Sequence, residues 1–137
     1  MYLFQEDEKA TVQLMGSGVI LREVIKAAKI LRDEYQIHSN VWSVTSFNEL
    51  ARDGMACEEY NRLHPVTEDV KESWVSQQLR GKEGIVVSAT DHMRAYSEQI
   101  RAYLPDGRPF VALGTDGYGR SDTRANLRSY FGVDAAH

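Results

Sequence analysis

One stretch of the chain, from Gly114 to Asp122, combines residue types that could bind an anion. It directly follows a short apolar run and directly precedes a helix-like segment. Free backbone N–H groups at the start of that helix, together with Arg120, could hold a phosphate or a carboxylate. Asp116 and Asp122 would repel such a group, so the pattern favours a structural turn or an interface.

The side chains that could make either kind of contact are polar or aromatic. The candidates for an interface or an anion site are Asp116, Tyr118, Arg120, Ser121 and Asp122. As structural residues, Ser121 or Asp122 would cap the following helix. A turn of this kind lies at the carboxyl edge of an α/β sheet, where ligands and partner subunits usually meet the fold.

A second glycine-rich turn, Gly16-Ser17-Gly18, follows a strand-like run and begins a helix, as in dinucleotide-binding proteins. The third glycine of that fingerprint is replaced by Leu21, which would block the close approach of helix and strand. No acidic residue ends the next strand at the required distance. We therefore predict a tight connection that needs glycine for its backbone angles rather than a cofactor site.

The other chemically reactive residues form no catalytic group in the sequence. The histidines are scattered, at His38, His64, His92 and His137. Asp91 beside His92 is more typical of a helix cap and its neighbour than of a metal site. Cys57 has no base beside it and is typical of a small packing residue. We predict no catalytic, cofactor-binding or metal-ligating residue in this chain.

Composition limits the function classes. The chain has 137 residues, 42% of them hydrophobic and 26% charged, with a net charge of −4. One domain of this size can bury a core without disulfides or metals, and the spread of basic residues argues against nucleic acid or an anionic membrane as partner. The single cysteine indicates a reducing compartment. Without a membrane-spanning run or a signal peptide, the sequence predicts a cytoplasmic location.

The pattern of apolar runs predicts the fold class. Five strands are expected, at Tyr2–Gln5, Thr11–Met15, Val41–Thr45, Ile85–Ser88 and Phe110–Leu113. Helices alternate with them, which implies right-handed crossovers and helices on both faces of a largely parallel sheet. The link between the first two strands is too short for a crossover, so the first strand cannot run parallel beside the second; it either pairs with it as a hairpin or lies elsewhere in the sheet, running antiparallel. The prediction is a three-layer α/β/α domain with a five-stranded mixed sheet.

Helix boundaries follow from caps and glycines. The predicted helices span Val19 to Gln36, a segment from Ser46 that Gly54 ends or interrupts, Thr67 to Leu79, a segment from Asp91 to Pro105, and a segment after Ser121 or Asp122. Ser46 and Glu49 form a capping box at the start of the second helix. Because the chain begins at once with a strand and stops just after a helix, we expect residues 1–137 to be one domain of a longer polypeptide.

Several blocks of sequence together resemble one family. They are Val12 to Gly18 with Ile20-Leu21-Arg22, Val41 to Gly54, Leu63-His64-Pro65, Ala89-Thr90-Asp91, Glu98-Gln99, Gly114 to Asp122 and Asn126-Leu127-Arg128. In these blocks the chain is similar to the C-terminal domain of the pyruvate dehydrogenase first component, of the bacterial, homodimeric, thiamin diphosphate-dependent type. The Gly114–Asp122 block favours this family over transketolase itself and over the 2-oxoglutarate-specific first component.

The resemblance implies a transketolase C-terminal type of fold, with three layers and a five-strand mixed sheet that has one antiparallel strand. It implies a parent enzyme that decarboxylates pyruvate on thiamin diphosphate with magnesium and reductively acetylates the lipoyl group. The cofactor-binding and proton-transferring residues of that family lie in the two preceding domains, whose motifs are absent from this sequence. The expected partners are a second subunit, the preceding domains and the dihydrolipoyl acetyltransferase component. This chain is then a non-catalytic assembly domain; the alternative is a free-standing module that binds a small anion at the Gly114–Asp122 loop.

Overall fold

The computed structural model describes residues 1–66 and 68–137, and these form a five-stranded mixed sheet. Its strands are β1 (Tyr2–Gln5), β2 (Val12–Gly16), β3 (Ser39–Ser43), β4 (Ile85–Ala89) and β5 (Phe110–Leu113). The strands lie in the order β1-β3-β2-β4-β5. Only the β1–β3 pair is antiparallel among the pairs in this sheet. The predicted sheet is therefore confirmed, including the antiparallel first strand.

Helices cover both faces of the sheet. They are α1 (Leu21–Tyr35), α2 (Phe47–Leu63), α3 (Trp74–Leu79), α4 (Ala95–Glu98) and α5 (Arg124–Tyr130), with short 3-10 turns at Gly18–Ile20, Arg101–Tyr103 and Pro105–Gly107. The alternation of strand and helix makes β2, β3, β4 and β5 parallel through crossovers, as the sequence pattern indicated. The three-layer architecture is thus present.

The second helix begins as predicted but continues further. The Ser46 hydroxyl accepts a hydrogen bond from the Glu49 N–H at 3.2 Å, which confirms the cap. The prediction that Gly54 ends or interrupts the helix is wrong. A Cβ atom at Gly54 would lie 2.5 Å from the ring of Tyr103, so glycine is needed there for close packing and not for a turn.

The third helix is shorter than predicted. The expected first residue, Thr67, lies outside the described residues, and α3 begins only at Trp74. Ser73 caps it by accepting the N–H of Ser76. The apolar spacing predicts that Val70, Trp74 and Val75 point inward, and only Val75 is buried. Val70 is exposed because it lies in the non-helical segment before the cap, and Trp74 is exposed at the first position of the helix.

The fourth helix is also shorter than predicted. Asp91 does not cap it, because α4 begins at Ala95 after a turn. The apolar spacing of this segment predicts a buried stripe of Met93, Tyr96, Ile100 and Tyr103. Met93 and Tyr96 are exposed, Tyr103 is half-buried, and Ile100 is fully buried. Apolar spacing correctly found the residue that enters the core but overestimated the length of regular helix.

Two apolar cores lie on opposite faces of the sheet. The first is built mainly from the residues under α2 and α3, and includes Met15, Trp42, Val44, Phe47, Leu50, Val75, Leu79, Val86, Ile100, Leu104, Phe110 and Ala112. The second lies under α1 and includes Leu14, Ile20, Val24, Val41, Ala89 and Val133. Burial of apolar side chains on both faces explains why the central strands are nearly continuous in apolar character.

A buried polar group joins three segments of the chain. The Oε1 atom of Gln13 accepts hydrogen bonds from Trp42 Nε1 at 2.9 Å and from Asn40 Nδ2 at 3.2 Å. Its Nε2 atom donates to the Glu83 carbonyl at 2.9 Å. Gln13 therefore links β2, β3 and the start of β4 inside the fold, where unpaired polar groups are costly.

Candidate functional site

The Gly114–Asp122 loop follows β5 and is bonded to the loop that follows β4. The Thr115 hydroxyl donates to the Asp91 carbonyl at 2.7 Å, and the Thr115 N–H donates to the His92 carbonyl at 2.9 Å. A Cβ atom at Gly114 would lie 2.6 Å from that His92 oxygen, so only glycine permits the approach. The two loops thus form one unit at the carboxyl edge of the sheet.

Asp116 is paired within the chain. Its carboxylate accepts the backbone N–H of Arg94 at 2.8 Å and the Nε–H of the same residue at 2.5 Å. These hydrogen bonds, first the backbone one and then the side-chain one, hold the pKa of Asp116 below its ordinary value. The negative charge of Asp116 is therefore balanced by Arg94 rather than directed at a ligand.

The next two residues of the loop are exposed. Gly117 has a φ of 93°, in the region that favours glycine. The side chain of Tyr118 is 96% exposed. A large aromatic side chain held in solvent by a fixed turn is a typical feature of a contact surface.

We expect Gly117→Val to lower the free energy of unfolding by about 2 kcal/mol, because β-branched residues are strained at positive φ. Urea unfolding of the chain measures this change. Gly119→Val is the matched control, since a Cβ atom at Gly119 meets nothing within 4 Å and its φ is not positive. Equal unfolding midpoints for the two variants would contradict the left-handed geometry of Gly117.

The cap of the last helix lies at the end of the loop, one residue beyond the predicted position. Thr123, and not Ser121 or Asp122, is the cap of α5, and its hydroxyl accepts the Asn126 N–H at 3.3 Å. Asp122 supports this cap by accepting the Thr123 N–H at 2.6 Å and the Asn126 side chain at 2.8 Å. These bonds lower the pKa of Asp122, the backbone bond contributing most. Ser121 is exposed.

Two arginines lie near the end of the loop that leads into α5. The guanidinium carbon of Arg120 lies 4.2 Å from the centre of the Tyr130 ring, a cation–π contact. Arg128 Nη1 bonds Glu23 Oε1 at 3.0 Å, which joins α5 to α1. Arg120 is thus held by a ring, whereas Arg128 is held by a nearly buried carboxylate.

An open cavity of about 520 Å³ lies between the loop, α5 and the turn after β2. Its wall is formed by Val19, Ile20, Asp91, Thr115, Gly117, Gly119, Arg120, Arg124, Leu127, Arg128, Phe131 and Val133. Because β3 and β4 lie on opposite sides of β2, this is the point where the strand order reverses and where α/β sheets usually bind ligands. Sequence analysis missed the cavity, although arginines at four-residue intervals were a signal for it.

The Gly16-Ser17-Gly18 turn is a tight connection, as predicted. Gly18 has a φ of 55°, and a Cβ atom at Gly16 would lie 2.7 Å from the Leu21 backbone. Leu21 thus occupies the space that the third glycine of a dinucleotide fingerprint leaves open. The close approach of helix and strand explains Gly16, and the positive φ explains Gly18.

The histidines and the cysteine lie apart. Nδ1 of His38 contacts Asp7 at 2.7 Å, and Nδ1 of His137 contacts Asp134 at 2.7 Å. Burial raises the pKa of the half-buried Cys57 thiol. Within residues 1–66 and 68–137, no group of three or more His, Cys, Asp or Glu side chains is placed to hold a metal ion. No helix in this part of the chain is both long and apolar enough to cross a membrane.

Comparison with solved structures supports the class of domain that the fold defines. Transketolase from Campylobacter jejuni matches 98% of this chain and 17% of its own chain, with a TM-score of 0.60 and 18% sequence identity. That likeness concerns the fold alone, and it identifies a transketolase-type α/β domain. The family model of the transketolase-like TK C-terminal domain matches residues 1–134. The chain belongs to this family.

Sequence comparison gives more similar relatives. The pyruvate dehydrogenase E1 component of Pseudomonas aeruginosa is 53% identical over 137 residues, which cover 98% of this chain and 15% of that protein. The E1 component of Escherichia coli K12 is 48% identical over 132 residues, covering 96% of this chain and 14% of that protein. The chain therefore spans about one seventh of the length of these relatives. The alternative of a free-standing anion-binding module is not supported by these relationships.

Proposed function

We propose that this chain serves as the C-terminal domain of a pyruvate dehydrogenase first component. The observation that carries the proposal is about 50% identity, over nearly all of the chain, to E1 components from Pseudomonas aeruginosa, Cupriavidus necator and Escherichia coli. The parent enzyme decarboxylates pyruvate and reductively acetylates the lipoyl group of the dihydrolipoyl acetyltransferase component. It acts in the cytoplasm.

The role of this domain in that enzyme is assembly and support. Thiamin diphosphate with magnesium supplies the electron sink for decarboxylation, and we assign both to the preceding domains. The described residues of this chain offer no acidic or histidine cluster that fits the metal ion. Its carboxylates at the site, Asp116 and Asp122, are already hydrogen-bonded to Arg94 and to the start of α5. No chemical step is therefore assigned to this chain.

The Gly114–Asp122 loop is the proposed contact surface of the domain. Internal hydrogen bonds of Thr115, Asp116 and Asp122 fix the backbone of the loop. The fixed backbone presents Tyr118 outward beside Arg120, and such aromatic and arginine side chains are enriched at interfaces. The partner is the second subunit of the homodimer or a preceding domain of the same polypeptide.

In the full-length enzyme, Arg120→Ala is expected to weaken dimerisation about tenfold, because arginines at interface centres often contribute more than 1 kcal/mol. Analytical ultracentrifugation across a dilution series measures the dimer Kd. Arg62→Ala is the matched control, since Arg62 is exposed at the end of α2 and forms no ion pair among the described residues. An Arg120→Ala enzyme with wild-type dimer affinity and turnover would remove the support for this interface.

An immunoblot of a native extract of the source cells tests the function itself. We expect an antibody raised against this domain to detect a band several times larger than 15.5 kDa. That band should comigrate with thiamin-dependent and pyruvate-dependent reductive acetylation of lipoyl groups. A band at 15.5 kDa, or a large band without this activity, would contradict the proposal.

A further inference from the structure

We propose that the cavity between the Gly114–Asp122 loop and α5 binds a small organic phosphate that carries an apolar group. The cavity volume of about 520 Å³ lies within the range of about 300 to 1,000 Å³ that is usual for small-molecule sites. Its position, beside the turn after β2 and Asp91 after β4, is the switch point of the sheet. The proposal concerns a ligand of this domain and does not depend on which reaction the parent enzyme performs.

Positive charge dominates the polar part of the wall. Arg124 and Arg128 are four residues apart on α5 and therefore lie on the same side of that helix. Among the described residues, Arg124 forms no ion pair, whereas the guanidinium group of Arg120 lies over the ring of Tyr130. The guanidinium group of Arg124 is thus available, and Arg groups bind phosphate oxygens in a bidentate geometry.

Two carboxylates reduce this positive charge without cancelling it. Glu23 is bonded to Arg128 at 3.0 Å and to Lys26 at 3.2 Å, so its charge is already balanced. Asp91 lines the cavity and lies 4.0 Å from the Nε2 atom of His92. Three arginines against Asp91 and the paired Glu23 leave an excess of positive charge at the wall, which suits a dianion.

The rest of the cavity wall is apolar, and this favours a phosphate ester that carries an apolar group. Ile20 and Val133 are buried in the second core, and Leu127 and Phe131 continue this surface along α5. A bare phosphate ion would leave Val19, which is 52% exposed, and the half-buried Leu127 and Phe131 in contact with water. An ester with an apolar or aromatic group would cover them while its phosphate meets the arginines.

Phenyl phosphate is a suitable probe, because it combines both parts. We expect saturable binding of phenyl phosphate to the full-length protein by isothermal titration calorimetry, about tenfold tighter than binding of inorganic phosphate. Arg124→Gln should weaken binding about tenfold, since it removes a charge-assisted hydrogen-bonding group. Arg62→Gln is the matched control, because Arg62 lies on α2 over the opposite face of the sheet.

Chemical protection locates the site without any substitution. Phenylglyoxal modifies exposed arginines, and we expect phenyl phosphate to protect Arg124 but not Arg62, as read by peptide mass spectrometry. Absence of saturable binding would overturn the proposal, as would equal binding by wild type and Arg124→Gln. Protection of Arg62 to the same extent would also overturn it. Equal affinity for inorganic phosphate and phenyl phosphate would refute the apolar part of the ligand.

Discussion

Gln13→Leu is expected to lower the free energy of unfolding by about 4 kcal/mol, as measured by urea denaturation. The substitution keeps a side chain of similar size but removes the buried amide, and with it the three hydrogen bonds that this group forms. The indole N–H of Trp42, the side-chain N–H of Asn40 and the carbonyl of Glu83 all lose their hydrogen bonds to it. The donors of Trp42 and Asn40 are buried, and each buried group without a partner costs about 1 to 3 kcal/mol, which exceeds the gain from the added apolar surface.

Gln5→Leu is the matched control for this experiment. Gln5 is an exposed glutamine at the end of β1, and its side chain forms no hydrogen bond within the described part of the chain. A surface substitution of this kind changes stability by about 0.5 kcal/mol or less. If Gln13→Leu behaved like Gln5→Leu, the buried amide network would have no net stabilising role.

Gly114→Val should produce a similarly large loss, about 4 kcal/mol, and should also disrupt the candidate site. The new Cβ atom would lie 2.6 Å from the His92 carbonyl oxygen and 2.8 Å from the Arg94 nitrogen, so the two loops must separate. Separation breaks the bonds of Thr115 to His92 and of Asp116 to Arg94. Overpacking costs about 1 to 3 kcal/mol, and each lost hydrogen bond adds about 1 kcal/mol.

Urea denaturation measures the stability change, and amide hydrogen exchange at Thr115 reports separation of the loops. Gly119→Val is again the control, because a side chain there has open space. Slow exchange at Thr115 in Gly114→Val, with a wild-type unfolding midpoint, would show that the loops do not depend on this close approach.

Much of the sheet could be predicted from local sequence. Strands β1 and β5 have the predicted bounds, and β4 ends one residue later than predicted. Strand β2 is shifted by one residue toward the C-terminus, whereas β3 begins and ends two residues earlier than predicted. These strands are short apolar runs between turn residues, so their signal is local. The antiparallel direction of β1 followed from chain length alone, since no crossover fits in the link before β2. The helices after β3 were harder to predict from the sequence, because α4 and the turns after it depend on tertiary contacts.

The candidate site was only partly predictable for the same reason. The loop was visible from its glycines, but the partner of Asp116 is Arg94, a residue on another connection. Arg124 and Arg128 sit outside the glycine-rich stretch, so their place in the cavity depends on how α5 packs. The amide of Gln13 gave no sequence signal, because its partners lie 27 to 70 residues away. Whether the loop contacts a partner or the cavity binds a phosphate stays a prediction.

The Glu23–Arg128 ion pair constrains the order of events during protein synthesis, because its members are 105 residues apart in sequence. Glu23 leaves the ribosome long before α5 exists, and until then its ion-pair partner among the described residues is Lys26, whose side chain is largely exposed. A carboxylate with only this exposed partner resists burial. We expect the face of α1 next to Glu23 to stay hydrated until Arg128 emerges. Nascent chains that end before α5 therefore lack both the Glu23–Arg128 ion pair and the part of the cavity wall that α5 forms. They expose the second core to chaperones.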